Sequence, residues 1–286
     1  MHNMTENNSK LSISTLKTMS LILFSSLLVA FTPTTISNYE LVSSVPLEAR
    51  FLTTDFLKSA YVITDKNQVM KYDSTGSLIG NYSENKYGKL TSIDAKSPFN
   101  VLMFYKEFST LVSLDMRLSA RRLYKLSSVD INNIAAACLS DDNYIWLYDM
   151  DAGRIKKINH AYETIYQSVE IPQLVGQEVE PNFMMEKDGL IYVNIPKIGI
   201  MMFDIYGTYY TSVAANELGF SDLKSFQVLQ HKIIYFHEGN LFIYDVFQQE
   251  IDSYPIPNSY AASDVKVEKG RLYMLDGEQL QFYEQK

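Results

Sequence analysis

Six times along the chain, two apolar runs joined by a polar turn end in a large apolar residue followed by an acid or amide. The pairs are Tyr72-Asp73, Leu114-Asp115, Ile158-Asn159, Phe203-Asp204, Tyr244-Asp245 and Tyr283-Glu284. Their second members are separated by 42, 44, 45, 41 and 39 residues. A near-constant period of this size is the length of one four-stranded propeller blade. Helical repeats of similar length are excluded, because Gly and Asp-Gly break five of the six segments before apolar residues can align at the 3.6-residue period. The chain is therefore expected to be all-β, a six-bladed β-propeller of four-stranded antiparallel blades.

The best-formed unit is residues 61–82, YVITDKNQVMKYDSTGSLIGNY, which reads as strands b, c and d of the first blade, with FLTTDFLK ahead of it as a further strand. Asp73 opens its second turn, and Gly76 supplies the left-handed backbone that closes it. Runs such as YIWLY and KIIYF are nearly continuous in apolar character, as expected of strands covered on both faces by neighbouring blades. Trp146 belongs to one of these seams. Aromatics at 13%, with 21 Tyr and 15 Phe, suit a pleated, packed surface.

The two ends complement one another. The sixth unit stops at Lys286 after its third strand, whereas residues 39–48 (YELVSSVPLE) form a strand with no local partner. Pairing them completes the last blade, closes the ring and leaves no open sheet edge there. Deleting 39–48 is expected to destabilise the whole domain.

Ahead of this strand, Lys10 and Lys17 precede an uncharged run at residues 19–31, followed by small and hydroxylated residues. That order is a secretory signal. Thirteen residues are fewer than the roughly 20 a bilayer needs. Residues 1–37 are read as a signal peptide cleaved between Ala30 and Asn38, with an uncleaved membrane anchor as the alternative, and 38–286 as the propeller, with no transmembrane segment in the mature chain. The only cysteine, Cys138, lies in the apolar run IAAACL, so no intramolecular disulfide forms and none stands behind the leader to carry a lipid. These features point to a periplasmic protein that is not a lipoprotein. Cys138 reads as a small buried hydrophobe rather than a nucleophile. The net charge of -8 and pI of about 5.1, without basic clusters, argue against nucleic acid as a partner.

In a blade whose strands a to d run outward from the axis, b–c turns and d–a crossings share one face. The longest crossings, QLVGQEVEPN, ANELGFSD and PIPNSYAASD, fall there. Their apolar residues Leu174, Val175, Leu218, Phe220 and Tyr260 are the candidates for a partner-binding surface, the alternative being that they pack their own loops. Catalysis leaves no comparable trace. His231 and His237 stand near opposite ends of one strand, too far apart to share a metal. His160 reads as a turn residue, and the Asp149 to Gly153 stretch lacks the third oxygen ligand and distal Glu of a calcium loop. No G-x-S-x-G, P-loop, H-E-x-x-H or C-x-x-C occurs, so no catalytic residue, metal or cofactor is assigned.

Over residues 40–286 the units resemble divergent propellers of the NHL, WD40 and quinoprotein-like kind, through Asp65, Asn67, Lys71, Asp73 and Gly76. The second unit departs from that outline, with KEF in place of the D-x-N turn and no glycine after Asp115. The exported, cysteine-poor, Tyr/Asn/Lys-rich character is also similar to small periplasmic propellers of Bacteroidota, among them the periplasmic plug subunit of the type 9 secretion translocon. That resemblance implies a non-enzymatic interaction module bound to an outer-membrane β-barrel translocon. The alternative is a propeller enzyme or carbohydrate-binding protein using the axial funnel.

Overall fold

Each repeat becomes one antiparallel sheet of four strands in the computed structural model, which describes residues 39–219, 221–256 and 262–286. From the inside outward, blade 1 is Ala49–Thr54, Ala60–Thr64, Gln68–Tyr72 and Leu78–Ser83. Blade 2 is Ser92–Ser97, Asn100–Tyr105, Thr110–Leu114 and Ala120–Lys125. Blade 3 is Ile134–Leu139, Ile145–Asp149, Arg154–Ile158 and Thr164–Gln167. Blade 4 is Phe183–Lys187, Leu190–Ile195, Gly199–Asp204 and Tyr209–Ala214. Blade 5 is Gln227–Leu229, Lys232–His237, Asn240–Asp245 and Glu250–Pro255. Blade 6 takes Asp264–Glu268, Arg271–Leu275 and Gln279–Gln285 from the end of the chain, and its outer strand is Tyr39–Pro46. The leader expected at 1–37 lies outside the described residues.

Burial follows strand position. The second strands of blades 1, 3 and 4 are buried at every residue, whereas the outer strand Thr164–Gln167 is exposed throughout. The core is a set of seams between blades. Trp146 is fully buried between blades 3 and 4 with Tyr148, Ile191, Val193 and Phe203, and its Nε1–H donates to Glu186 Oε2 at 2.6 Å. Blades 6 and 1 meet through Leu52, Val62, Tyr72, Tyr273 and Phe282, with the Phe282 ring 6.2 Å from Tyr72 and 5.6 Å from Tyr273. Each large side chain buried this way is worth about 1.5–3 kcal/mol over leaving it exposed.

The acid or amide that ends five of the six units has one local task. Asp73, Asp115, Asn159, Asp204 and Asp245 each turn a side-chain oxygen back on the c–d turn, accepting the N–H groups of Thr75 and Ser77, Arg117 and Ser119, Ala161 and Glu163, Tyr206 and Thr208, and Phe247 and Gln248. These Asx turns spare the tip a set of unpaired donors. Blade 2 follows the same plan without the glycine, since Leu118 takes the position at φ 63°, and its KEF segment is a 3-10 turn at Lys106–Phe108. Gly76 has a second reason to be glycine. Its φ is 87°, and a Cβ there would stand 2.3 Å from Ser43 Oγ, which itself donates to the Thr75 carbonyl at 2.6 Å. The outer strand of blade 6 is thus fastened to the c–d turn of blade 1.

Candidate functional site

The crossings use most of their apolar residues on the seams beneath them. Leu218 is 1% exposed and packs with Leu223 and Phe226 between blades 4 and 5, so it belongs to the core and offers nothing to a partner. Val175 is half-buried against the seam of blades 3 and 4, where Ile171 and Val179 of the same crossing are fully committed. Leu174, in the short helix Ile171–Val175, is 46% exposed and is the one described candidate that faces solvent. Phe220 and Tyr260 lie outside the described residues. The physical reason is geometric. Blades splay apart with distance from the axis, so a crossing must plug the wedge it spans, and its apolar side chains gain more from the wedge than from water.

The axis holds a cavity of about 550 Å³, lined by residues from all six inner strands. Phe56, Asp188, Gln230 and Lys269, which belong to a–b turns, also line it, so its mouth opens on the face of a–b and c–d turns. Several of its polar groups stitch the inner strands together. Asp94 accepts the N–H of Leu139 at 2.8 Å, and the Lys96 ammonium spends its three donors on Leu139 O, Asp141 Oδ1 and Glu186 O at 2.8–2.9 Å. Burial works against the charge of Lys96, but Asp94 and Asp141 more than offset it and hold its pKa above the usual lysine value. Gln227 grips both backbone groups of Val267 and donates to Thr54 Oγ1 at 3.0 Å, joining blades 5, 6 and 1.

Nearer the mouth the groups are less committed. Burial raises the pKa of the Glu268 carboxyl, with Lys269 and Lys187 opposing and Asp55 reinforcing the shift. Asp188 accepts the His231 N–H at 3.1 Å, and Lys269 donates to the Phe56 carbonyl at 2.7 Å. Mixed charge in a half-enclosed space of this size suits a small polar ligand. Among the described residues no histidine lines it.

Around this mouth the turn tips carry large apolar side chains. Phe56, Leu57, Phe99, Met116, Tyr206 and Phe247 are all exposed, Phe247 at 61%. Their positions follow from the turns: Met116, Tyr206 and Phe247 stand one or two residues after the capping acid, at the tip, where the Tyr206 ring meets Tyr166 at 5.3 Å and the Phe247 ring meets His231 at 4.9 Å. Phe56 and Leu57 stand the same way after Asp55, which accepts the Leu57 and Ser59 N–H groups at 2.9 Å. The Phe56 ring lies 6.1 Å from Phe99, across the boundary of blades 1 and 2. No signal in the repeat itself marked these tips, because the period predicts a turn without saying which side chain crowns it.

The remaining candidates are accounted for locally. Asp149 accepts the N–H groups of Asp151 and Ala152 and the Lys156 ammonium at 2.7 Å, so its carboxylate belongs to a b–c turn. Burial pushes the Cys138 thiol well above its usual pKa, which keeps it unreactive. Among the described residues, no group of three or more His, Cys, Asp or Glu is placed to hold a metal ion, and no helix is long and apolar enough to cross a membrane.

Neither a protein-family model nor a curated protein sequence matches the chain. Solved structures do. Virginiamycin B lyase from Staphylococcus aureus is similar at a TM-score of 0.60 and 11% identity, over 86% of this chain and 99% of that one. The WD40 domain of Neurospora crassa Pan2 gives 0.55 and 10% over 83% and 82%, and BamB from Moraxella catarrhalis 0.50 and 12% over 87% and 98%. At such identities the likeness is one of fold, the β-propeller, which hosts many unrelated functions.

Proposed function

We propose that the propeller is an exported, non-enzymatic protein-interaction module that docks a protein partner on the face of its a–b and c–d turns. The observation that carries this reading is the set of exposed aromatic and aliphatic side chains crowning that face, Phe56, Leu57, Phe99, Met116, Tyr206 and Phe247. Large apolar groups held on rigid turns lose little entropy on docking, and aromatic anchors of this kind supply most of the energy of protein interfaces. Export is supported by the basic, apolar and polar order of residues 10–37. In the finer form of the reading the partner is part of an outer-membrane secretion complex, and a broad non-deforming disc is a suitable shape for covering such a channel. Affinity purification from detergent-solubilised envelopes, followed by mass spectrometry, tests both forms. A partner recovered by the wild type and lost by the F56S/F247S variant is the expected result; recovery of the propeller alone refutes the reading.

A second reading is favoured by the axial cavity. The space is neither filled by side chains nor purely apolar, and Glu268 keeps a raised pKa at its mouth. One of the similar structures is a lyase, so the outline is compatible with catalysis. On this reading a small polar compound raises the melting temperature of the wild type and leaves the E268Q variant unchanged, and a panel of sugars and amino acids that shifts neither protein removes it.

A further inference from the structure

Half of the chain's arginines stand together: Arg117, Arg121 and Arg122 are three of six, all in the c–d turn and outer strand of blade 2. In a chain of net charge -8 this is a local reversal of sign. The other three are engaged. Arg50 donates to Thr64 O, Asn67 Oδ1 and Leu90 O, Arg154 pairs with Glu170 at 2.6 Å, and Arg271 pairs with Glu284 at 3.1 Å. Among the described residues no ion pair includes Arg121 or Arg122.

The backbone brings these two side chains to one place. Ser113 faces Arg122 and Leu114 faces Ala120 across the ladder, so Arg121 is an extra residue in its strand. Successive strand residues normally point to opposite faces, and a bulge re-aims them. Here Arg121 and Arg122 both line one cleft of about 490 Å³ between blades 2 and 3. Blades 1, 3 and 4 have the same bulge, occupied by Ile79, Ile165 and Tyr210. The bulge therefore belongs to the repeat, and the guanidinium to blade 2 alone.

Inside the cleft the Tyr124 and His160 rings lie 6.2 Å apart. Arg122 lies over the Tyr124 ring at 5.8 Å. The Tyr124 hydroxyl and His160 Nδ1 share a hydrogen bond of 2.9 Å. Burial, with Arg122 adding to it, lowers the pKa of His160; Asp142 opposes this, but its carboxylate is paired with Lys157 at 2.7 Å. Arg121 gives one bond, at 3.3 Å, to the Phe99 carbonyl and keeps its other donors.

We infer that this cleft is a docking site for an acidic segment of the protein partner, with a carboxylate gripped by Arg121 and Arg122 and a neighbouring apolar side chain laid against Phe99. The inference rests on the interaction reading above and names the chemistry of its partner. The guanidinium fork matches a carboxylate in two parallel bonds, which a lysine cannot do. The cleft is many times the ~30 Å³ share of one water, so a peptide side chain fits it better than a bare ion. It is also continuous with the apolar face, since Phe99, 55% exposed, lines it and Met116 stands in the turn that leads to Arg117.

The test is a fluorescence-anisotropy titration with a fluorescein-labelled octapeptide, Glu-Glu-Phe-Glu-Glu-Phe-Glu-Glu, and its Gln-for-Glu counterpart. The acidic peptide is expected to bind the wild type, to bind R121A/R122A at least about tenfold more weakly, and to bind R121K/R122K at an intermediate level. The Gln peptide is expected not to bind. Both arginines are exposed, so circular dichroism is expected to show the variants folded. Equal binding to wild type and R121A/R122A, binding of the Gln peptide, no binding at all, or full competition by inorganic phosphate would each overturn the inference, the last by making the cleft a small-anion site. If the peptide fails to bind while envelope partner recovery still depends on Phe56 and Phe247, the docking site falls and the interaction reading stands. If the propeller is recovered alone while peptide binding depends on the arginines, the interaction reading falls and the cleft stands as an acidic-peptide site.

Discussion

The face built from b–c turns and d–a crossings has the longer connections, yet among its described residues the exposed large apolar side chains are Phe108, Val129, Val169 and Leu174. The face built from short a–b and c–d turns exposes Phe56, Leu57, Phe99, Met116, Tyr206 and Phe247, and it also holds the mouth of the axial cavity. Loop length is thus a poor guide to where a propeller has surface to spare. A crossing has to cover the wedge between two diverging blades, and its apolar residues go into that wedge, as Ile171, Val179, Leu218, Leu223 and Phe226 do. A tight turn spans no wedge, and its tip side chains stay exposed even where they touch a neighbour, as Tyr206 does Tyr166 and Phe247 does His231. Its tip residues are free to be chosen for what they meet outside.

Removing residues 39–46 is the severest challenge to this division. It strips blade 6 of its outer strand and the blade 1 turn of its bond from Ser43, and loss of the cooperative thermal transition is expected. Next comes a pair on one crossing face. Leu218→Ala should cost roughly 2–5 kcal/mol in chemical denaturation, whereas Leu174→Ala should stay within about 0.5 kcal/mol. Similar costs for both would mean that the crossings are not divided between core and surface as their burial indicates. On the short-turn face F56S/F247S should weaken partner binding by about 2 kcal/mol or more while the denaturation midpoint hardly moves. A large fall in stability would show those rings to be structural.

Smaller effects sharpen the contrast. Lys197 holds φ 69° at an exposed b–c tip, so Lys197→Gly should stabilise by up to about 1 kcal/mol, read as a higher melting temperature. Glu268 gives the smallest change and a pH signature. Its folded-state pKa is raised, chiefly by burial, so its ionisation opposes folding; the stability present at low pH is lost as pH rises from the unfolded value through the raised folded one. The E268Q variant should therefore exceed the wild type in stability at neutral pH and converge with it below the ordinary carboxylate pKa of about 4.3. A difference independent of pH would assign the effect to packing.

Much of the architecture was legible in the residues, and for a stated reason. Asp73, Asp115, Asn159, Asp204 and Asp245 recur because each caps a turn with its own side chain, which is a local interaction and leaves a local trace. The apolar runs of the second strands are legible because burial on both faces removes alternation. The site was not legible in the same way. Leu218 and Leu174 are both leucines in polar crossings, and nothing within either crossing distinguishes the one that reaches a seam from the one that does not. Arg121 and Arg122 are adjacent in sequence, a pattern that in a regular strand sends them to opposite sides, and only the register against Ser113 and Leu114 places them together.

The sequence by itself therefore determined the repeat, the number of blades, the capped turns and a terminal strand in need of a partner, since these depend on contacts along a unit of about forty residues. The tertiary structure alone decided which face is occupied by its own core and which is left open, where the axial cavity opens, and which side chains converge from blades 2 and 3. Those depend on how neighbouring blades splay and pack, and a distance between units is written in no single unit.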